Sequence, residues 1–270
     1  MSSQNPYQPQ QLPAAAGGPG LGDREIDVKR AVKCLFQQPE WLKTTFLGVA
    51  YFFIPLAGPL ALQGWGVRVF KHIVTGGDDT KLPPLKGFGD LISLGIQPYV
   101  AAMIWLFPMI FGAQIILSLG IVLAGVLTGV IAAALKSAGA GNEVTIIVTI
   151  CVAVISFLLA FALFYAAIIA VAYPLQAMMT LVEVTGKIEY AWKFSEIRHF
   201  MSVLKPDYRK AFIRMQLWSL LIVTLGMLLC YCGMFPAFMI MIVAGAHLRG
   251  QLYRMYLARG GQPYQWNPKA

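Results

Sequence analysis

Charge is scarce in this sequence. Only 12% of its 270 residues are charged, about half the ~25% of a typical soluble domain. Hydrophobic residues make up 58%, against roughly 45–50% in soluble domains. A water-soluble fold of this size cannot hide that much apolar surface behind so few charges. The same numbers exclude a disordered chain for the bulk of the sequence. Four cysteines in 270 residues exclude a disulfide scaffold. What remains is an all-α, polytopic membrane protein, and the mean hydropathy of +0.66 agrees.

The lack of charge is concentrated. No Asp, Glu, Lys, Arg or His falls in 91–135, 144–182 or 215–246. Ion- and proton-coupled pumps need ionisable groups inside the membrane, and metal-dependent hydrolysis needs His and acid ligands there. A serine nucleophile in these runs would lack its base. Neither a phosphate-binding glycine loop nor a dinucleotide fingerprint occurs. The expectation is a protein that is not an enzyme and uses no cofactor or metal. The net charge of +9 is explained by headgroup-facing loops, without a nucleic-acid partner.

The chain reads as one membrane domain with short flanks. Residues 1–22 are uncharged and rich in Gln, Pro, Gly and Ala, which predicts a disordered tail and no cleaved signal peptide. Residues 23–40 mix charges with Ile26, Val32 and Leu35 and suit an amphipathic surface segment. The domain spans 41–256, with apolar runs at 41–70, 91–135, 144–182 and 215–248. Residues 257–270 read as a flexible basic tail.

Helix breaks are expected at Pro55, Gly58 and Pro59 in the first run, Pro108 in the second, Pro174 in the third, and Gly233 and Pro236 in the last. Asp90 fits an N-cap for the second run. Between runs, Tyr190, Phe194, Ile197, Met201 and Leu204 recur at helical spacing, predicting an amphipathic helix over 187–204. Trp192, Lys193, Arg198, Arg249 and Arg254 are its and its neighbours' expected interfacial anchors.

Loop charges set orientation. Basic side chains number five in 23–43, four in 68–90, seven in 183–214, four in 249–270 and none in 137–143. One exterior loop and four cytoplasmic regions result if the first and last runs each fold back as a hairpin. That gives about six membrane segments in the cell (inner) membrane, with both termini cytoplasmic. A rival topology places 68–90 outside and turns the second run at Pro108.

The pieces PLAGPLALQGWGVRVFKHI, LPPLKGFGDLISLGI, WLFP, YPLQAMMTLVEVTGKIEYAWKFSEI, PDYRKAFIRMQL and CYCGMFPAFMIMIVAGAHLRGQLYR resemble, in order, the prokaryotic membrane family known as domain of unknown function 4013. The resemblance covers about 41–256. It implies a multi-pass helical membrane protein and no assigned activity.

The positive signal is packing chemistry. Gly125, Gly129 and Ala133 form one small-residue ridge, and Gly120, Ala124, Thr128 and Ala132 a second beside it; such ridges let helices approach closely in lipid. Gln97, Gln114, Thr149, Ser156, Gln176 and Thr180 are uncharged polar groups able to bond between helices or line a path for a neutral solute. Asp78, Asp79 and Asp90 near His72 match no metal spacing, and Cys230 and Cys232 read as buried thiols. Two functions stay open: a membrane scaffold or assembly partner, and a carrier or channel for an uncharged or lipid-like solute. The expected partners are the lipid bilayer and either another protein or a second copy of the chain.

Overall fold

A computed structural model describes residues 26–229 and 233–265. The predicted tail at 1–22, and Cys230 and Cys232, lie outside the described residues. Every regular element among the described residues is helical: α1 (Val28–Lys33), α2 (Trp41–Phe52), α3 (Ala57–Val74), α4 (Phe88–Ser137), α5 (Asn142–Thr185), α6 (Phe194–Leu204), α7 (Asp207–Leu228) and α8 (Met234–Ala258). Four of them, α4, α5, α7 and α8, are long and apolar enough to cross a membrane. The chain is therefore a helical membrane protein. At 12 residues, α2 falls short of the ~20 a crossing needs.

The first and last runs fold as hairpins. Between α2 and α3, Pro55 lies in the turn, and Gly58 and Pro59 lie in the first turn of α3, where a missing N–H is tolerated. Gly58 has a steric reason: a Cβ there would lie 1.6 Å from the Tyr51 carbonyl oxygen. Gly233 immediately precedes α8 and Pro236 is its third residue. α7 and the start of α8 approach through glycine, since a Cβ on Gly226 would lie 2.8 Å from the Gly233 oxygen, and one on Gly233 equally close to that of Gly226.

Two expected breaks are absent. Pro108 lies inside the unbroken 50-residue α4, and Pro174 inside the 44-residue α5. A proline removes one hydrogen bond, which neighbours and local adjustment absorb in membrane helices. The rival topology required a turn at Pro108, and that turn does not exist. Asp90 is not an N-cap but the third residue of α4, within 3.8 Å of Arg68.

The chain divides into two compact units. Met103–Leu175 forms one of them, a hairpin of the second part of α4 and the first part of α5. Its large side chains, among them Leu123, Val126, Ile155 and Leu159, are exposed. In water that surface would be untenable, and in hydrocarbon it is the expected solvent face.

The second unit holds the core. α8 is its centre, packed by α1, α2, α3, α6 and α7. Ile26, Val28, Ala31, Val32 and Leu35 are buried, so the segment from Ile26 docks its apolar face on α8. α3 meets the start of α4 through glycine. A Cβ on Gly64 would sit 1.8 Å from the Leu91 oxygen, and one on Gly95 1.9 Å from the Leu60 oxygen. The two backbones thus touch at reciprocal positions, four residues apart on each helix.

The expected helix over 187–204 is shorter and rotated. A 3-10 turn occupies Ile188–Ala191 and α6 begins only at Phe194. Gly186 at φ +63° ends α5 and sets up that turn. The buried positions are Ile197, Phe200 and Leu204, whereas Phe194 is exposed. Substituting Phe200 for Met201 in the stripe corrects its register by one residue.

The expected flexible tail from 257 is also ordered as far as the described residues reach. Arg259 pairs with Asp207. The Tyr264 hydroxyl donates to Glu196 at 2.8 Å, and its N–H donates to the Tyr253 hydroxyl at 3.2 Å. Its ring stacks on Tyr256.

Candidate functional site

The polar half of α8 organises the chemistry of the α8-centred unit. His247, Arg249, Gln251 and Arg254 follow an apolar stretch that ends at Ala246, and helical spacing sends them to different neighbours.

Arg249 turns toward α5. Its Nε donates to Glu183 Oε2 at 2.8 Å and its Nη2 to Oε1 at 2.7 Å, a two-pronged ion pair. Nη1 reaches Gln176 Oε1 at 3.3 Å, and Gln63 Nε2 of α3 donates to Glu183 Oε1 at 3.2 Å. The Glu183 side chain is fully buried and that of Arg249 nearly so. Gly245, one turn before Arg249, leaves the room that the guanidinium occupies: a Cβ there would meet Nη1 at 3.2 Å. Three helices are tied together by this network. Arg249 is therefore not the interfacial anchor expected from sequence, because its charge is taken up by Glu183 rather than by headgroups.

His247 and Gln251 turn toward α1 and the 75–87 loop. That loop is fastened by side chains: Gln38 Nε2 donates to the Asp79 oxygen at 2.6 Å, Gln38 Oε1 accepts from the Leu82 N–H at 2.9 Å, and Trp65 Nε1 donates to the Pro83 oxygen at 2.8 Å. So fastened, the loop delivers the buried Asp79 between Arg30 and His247. Asp79 Oδ2 accepts from Arg30 Nε, and Oδ1 lies 3.2 Å from His247 Nε2. The latter approach is within ion-pair reach, and neither buried atom has a hydrogen-bond partner. Burial opposes ionisation of Asp79, but the contacts with His247 and Arg30 outweigh it and hold the carboxyl down to about 2. The Asp79 carboxylate in turn raises Arg30. Burial pushes the nearby Cys34 thiol up to about 12, so it stays protonated and unreactive at neutral pH.

Gln251 fixes the histidine tautomer. Its Oε1 accepts from the Asp27 N–H at 2.8 Å, so its Nε2 is the donor, to the Asp27 oxygen at 3.0 Å and to His247 Nδ1 at 2.9 Å. With Nδ1 accepting, the proton of the neutral ring is carried on Nε2, facing Asp79.

The four residues weighed as metal ligands do not converge. Asp79 goes to Arg30 and His247, Asp90 to Arg68, and His72 Nε2 to the Asp78 carbonyl at 2.9 Å. Among the described residues, no group of three His, Cys, Asp or Glu could hold a metal ion.

Of the packing ridges, the structure separates the two. Gly120 approaches α5 closely, a Cβ there lying 2.6 Å from the Ala160 Cβ. Ala124 and Thr128 continue this half-buried line, while Gly125, Gly129 and Ala133 are exposed. A Cβ on Gly125 or Gly129 would meet nothing within 4 Å. Among the uncharged polar groups, Gln97 accepts from the Ile188 N–H at 3.1 Å and Gln176 joins the Arg249 network. Thr180 bonds back to the Gln176 oxygen of its own helix at 2.8 Å, and the buried Thr149 hydroxyl has no partner. Trp192, Lys193 and Arg198 are exposed, with Lys193 Nζ 4.3 Å from the centre of the Tyr190 ring. Arg254 is half-buried beside the Asp79 cluster.

Sequence reasoning missed Glu183 and His247 as partners of one helix and one loop. Each is the first ionisable residue after an uncharged run, and that position was the available signal.

A family model described as "Protein of unknown function (DUF4013)" matches residues 47–231. Comparison with curated proteins gave no match, and neither did comparison with solved structures.

Proposed function

From the premise that this chain, a helical membrane protein, belongs to the DUF4013 family of proteins of unknown function, we propose that it is a non-catalytic membrane scaffold or assembly partner. The observation that carries this reading is the closed Glu183–Arg249 network. Both carboxylate oxygens and all three guanidinium nitrogens are engaged. A transport relay needs intramembrane ionisable groups that exchange partners, whereas these hold three helices in one arrangement. The exposed apolar hairpin of 103–175 then offers lateral surface to lipid and to a protein neighbour or second copy.

The location in this reading is the cell membrane, with both termini and the exposed Trp192–Arg198 region on the cytoplasmic side. In a variant lacking the native cysteines, an impermeant thiol reagent applied from outside is expected to label a cysteine at position 140 and spare one at 80 or 195. Labelling at 80 from outside would overturn that orientation.

The functional test is crosslinking in native membranes followed by affinity capture of the tagged full chain. A stoichiometric partner, or a crosslinked second copy, is the expected result. The alternative is a carrier or channel for an uncharged or lipid-like solute. Solute flux into proteoliposomes containing the protein alone, with no stoichiometric partner captured, would replace the scaffold reading with that one.

A further inference from the structure

A cleft of about 320 Å³ opens between α1, the 75–87 loop and the polar half of α8, lined by Arg30, Asp79, His247, Gln251 and Arg254 together with apolar Ile26, Ile73 and Met255. Its size falls in the lower range of small-molecule sites.

Its hydrogen-bonding inventory is lopsided. Asp79 faces Arg30 with one oxygen and His247 with the other, the latter without a hydrogen bond. Asp27, exposed at the rim, caps α1 by accepting from the Arg30 N–H at 2.9 Å, and the Gln251 amide is engaged at both ends. Most of the guanidinium donors are uncommitted. A guanidinium carries five N–H groups. Arg254 commits one nitrogen, Nη1, to the Ile73 carbonyl at the long distance of 3.3 Å, and Arg30 holds Asp79 through Nε. Unlike Arg249 and Arg259, Arg254 has no ion-pair carboxylate among the described residues. Two guanidinium groups thus share one cleft with the buried Asp79 between them and the exposed Asp27 at the rim. Like charges so placed repel, and an anion between them would remove that cost.

We propose that this cleft binds a phosphate ester, with Arg254 and the uncommitted nitrogens of Arg30 as the recognising groups. Planar guanidinium forks match phosphate oxygens in pairs. The volume exceeds what a bare phosphate fills, and the Ile26, Ile73 and Met255 wall accepts the carbon part. His247, held by Gln251, and Asp79, held by the loop, form the floor that orients Arg30. Two sources carry this chemistry: the headgroup of an anionic phospholipid, reached where α8 changes from apolar to charged at His247, and a soluble phosphate monoester.

The test uses the purified full chain. Binding is measured with glycerol 3-phosphate and inorganic phosphate in detergent, and thermal stability is compared in nanodiscs of phosphatidylcholine alone or mixed with phosphatidylglycerol. Saturable glycerol 3-phosphate binding assigns the soluble source. Stabilisation by phosphatidylglycerol without soluble binding assigns the headgroup. In either case Arg254→Gln should weaken the effect roughly tenfold or more, while Lys136→Gln, at the far end of α4, should leave it unchanged. Should Arg254→Gln not fold, phenylglyoxal modification of Arg254 in the wild type, followed by peptide mapping, replaces it, and the ligand is expected to slow that modification. Absence of both effects in the wild type overturns the proposal. So does an effect that Arg254→Gln leaves intact, or modification of Arg254 that no ligand slows.

Discussion

Arg249 closes on Glu183 with two parallel hydrogen bonds, Nε to Oε2 at 2.8 Å and Nη2 to Oε1 at 2.7 Å, across 66 residues of chain. A buried pair of this kind contributes little relative to a well-packed apolar pair, but losing one member leaves an uncompensated charge. Arg249→Ala or Glu183→Ala is therefore expected to cost about 3–5 kcal/mol in denaturant unfolding of the detergent-solubilised protein. The double change Glu183→Gln with Arg249→Met removes both charges and should recover most of that loss. Equal instability of the single and double variants would show that the pair's charge is not what matters.

That pair also shows where sequence reading stops. The helices and the two hairpins were legible because uncharged runs and Gly/Pro clusters act locally: Pro55, Gly58 and Pro59 bend the chain where they stand. Pro108 and Pro174 misled because a proline in a membrane helix costs one hydrogen bond that tertiary surroundings can replace. Glu183 and His247 each end an uncharged run, and composition alone assigns such residues to the interface. Only the fold brings Glu183 to Arg249 and Asp79 to His247. Partner choice across 66 or more residues leaves no periodic trace in one sequence. The register of α6 was missed by one residue because Phe200 and Met201 are both apolar and only packing selects between them.

The α3–α4 contact gives a prediction at a site that carried no motif. Gly64 and Gly95 face the Leu91 and Leu60 carbonyl oxygens at distances no Cβ tolerates. Gly64→Ala or Gly95→Ala must push the two helices apart, at about 1–3 kcal/mol each, read as a lower thermal midpoint. One separation relieves both clashes, so the double variant should fall short of the sum of the singles. Strict additivity would mean that the two contacts yield independently.

The two small-residue ridges of the 103–175 hairpin should respond differently. Gly120→Leu drives a side chain into Ala160, whose Cβ already lies 2.6 Å from the Cβ position of residue 120. It should lower thermal stability in detergent by an amount independent of protein concentration. Gly129→Leu enters open space and should leave fold stability near that of wild type. This departs from the simplest reading of the Gly125/Gly129 spacing, which makes Gly129 the internal contact. A loss of stability at Gly129→Leu matching that at Gly120→Leu would sink the distinction.

Asp79 predicts a pH dependence whose sign follows from its depressed carboxyl. An unfolded aspartate titrates near about 3.9, whereas folded Asp79, despite its burial, is held at about 2 by His247 and Arg30. The folded state therefore binds the proton less readily than the unfolded one. The resulting stability is present in full above the unfolded value and is lost as pH falls through the folded one. Its size is about 2–3 kcal/mol, the linkage equivalent of that shift. Asp79→Asn removes this contribution, so the stability gap between wild type and variant should shrink steadily as pH falls from about 4 to 2. Unfolding of both proteins in denaturant across that range measures the gap directly, and the subtraction cancels the titration of shared groups remote from residue 79. A gap that stays constant down to about pH 2 would mean that Asp79 draws no net stability from its two partners.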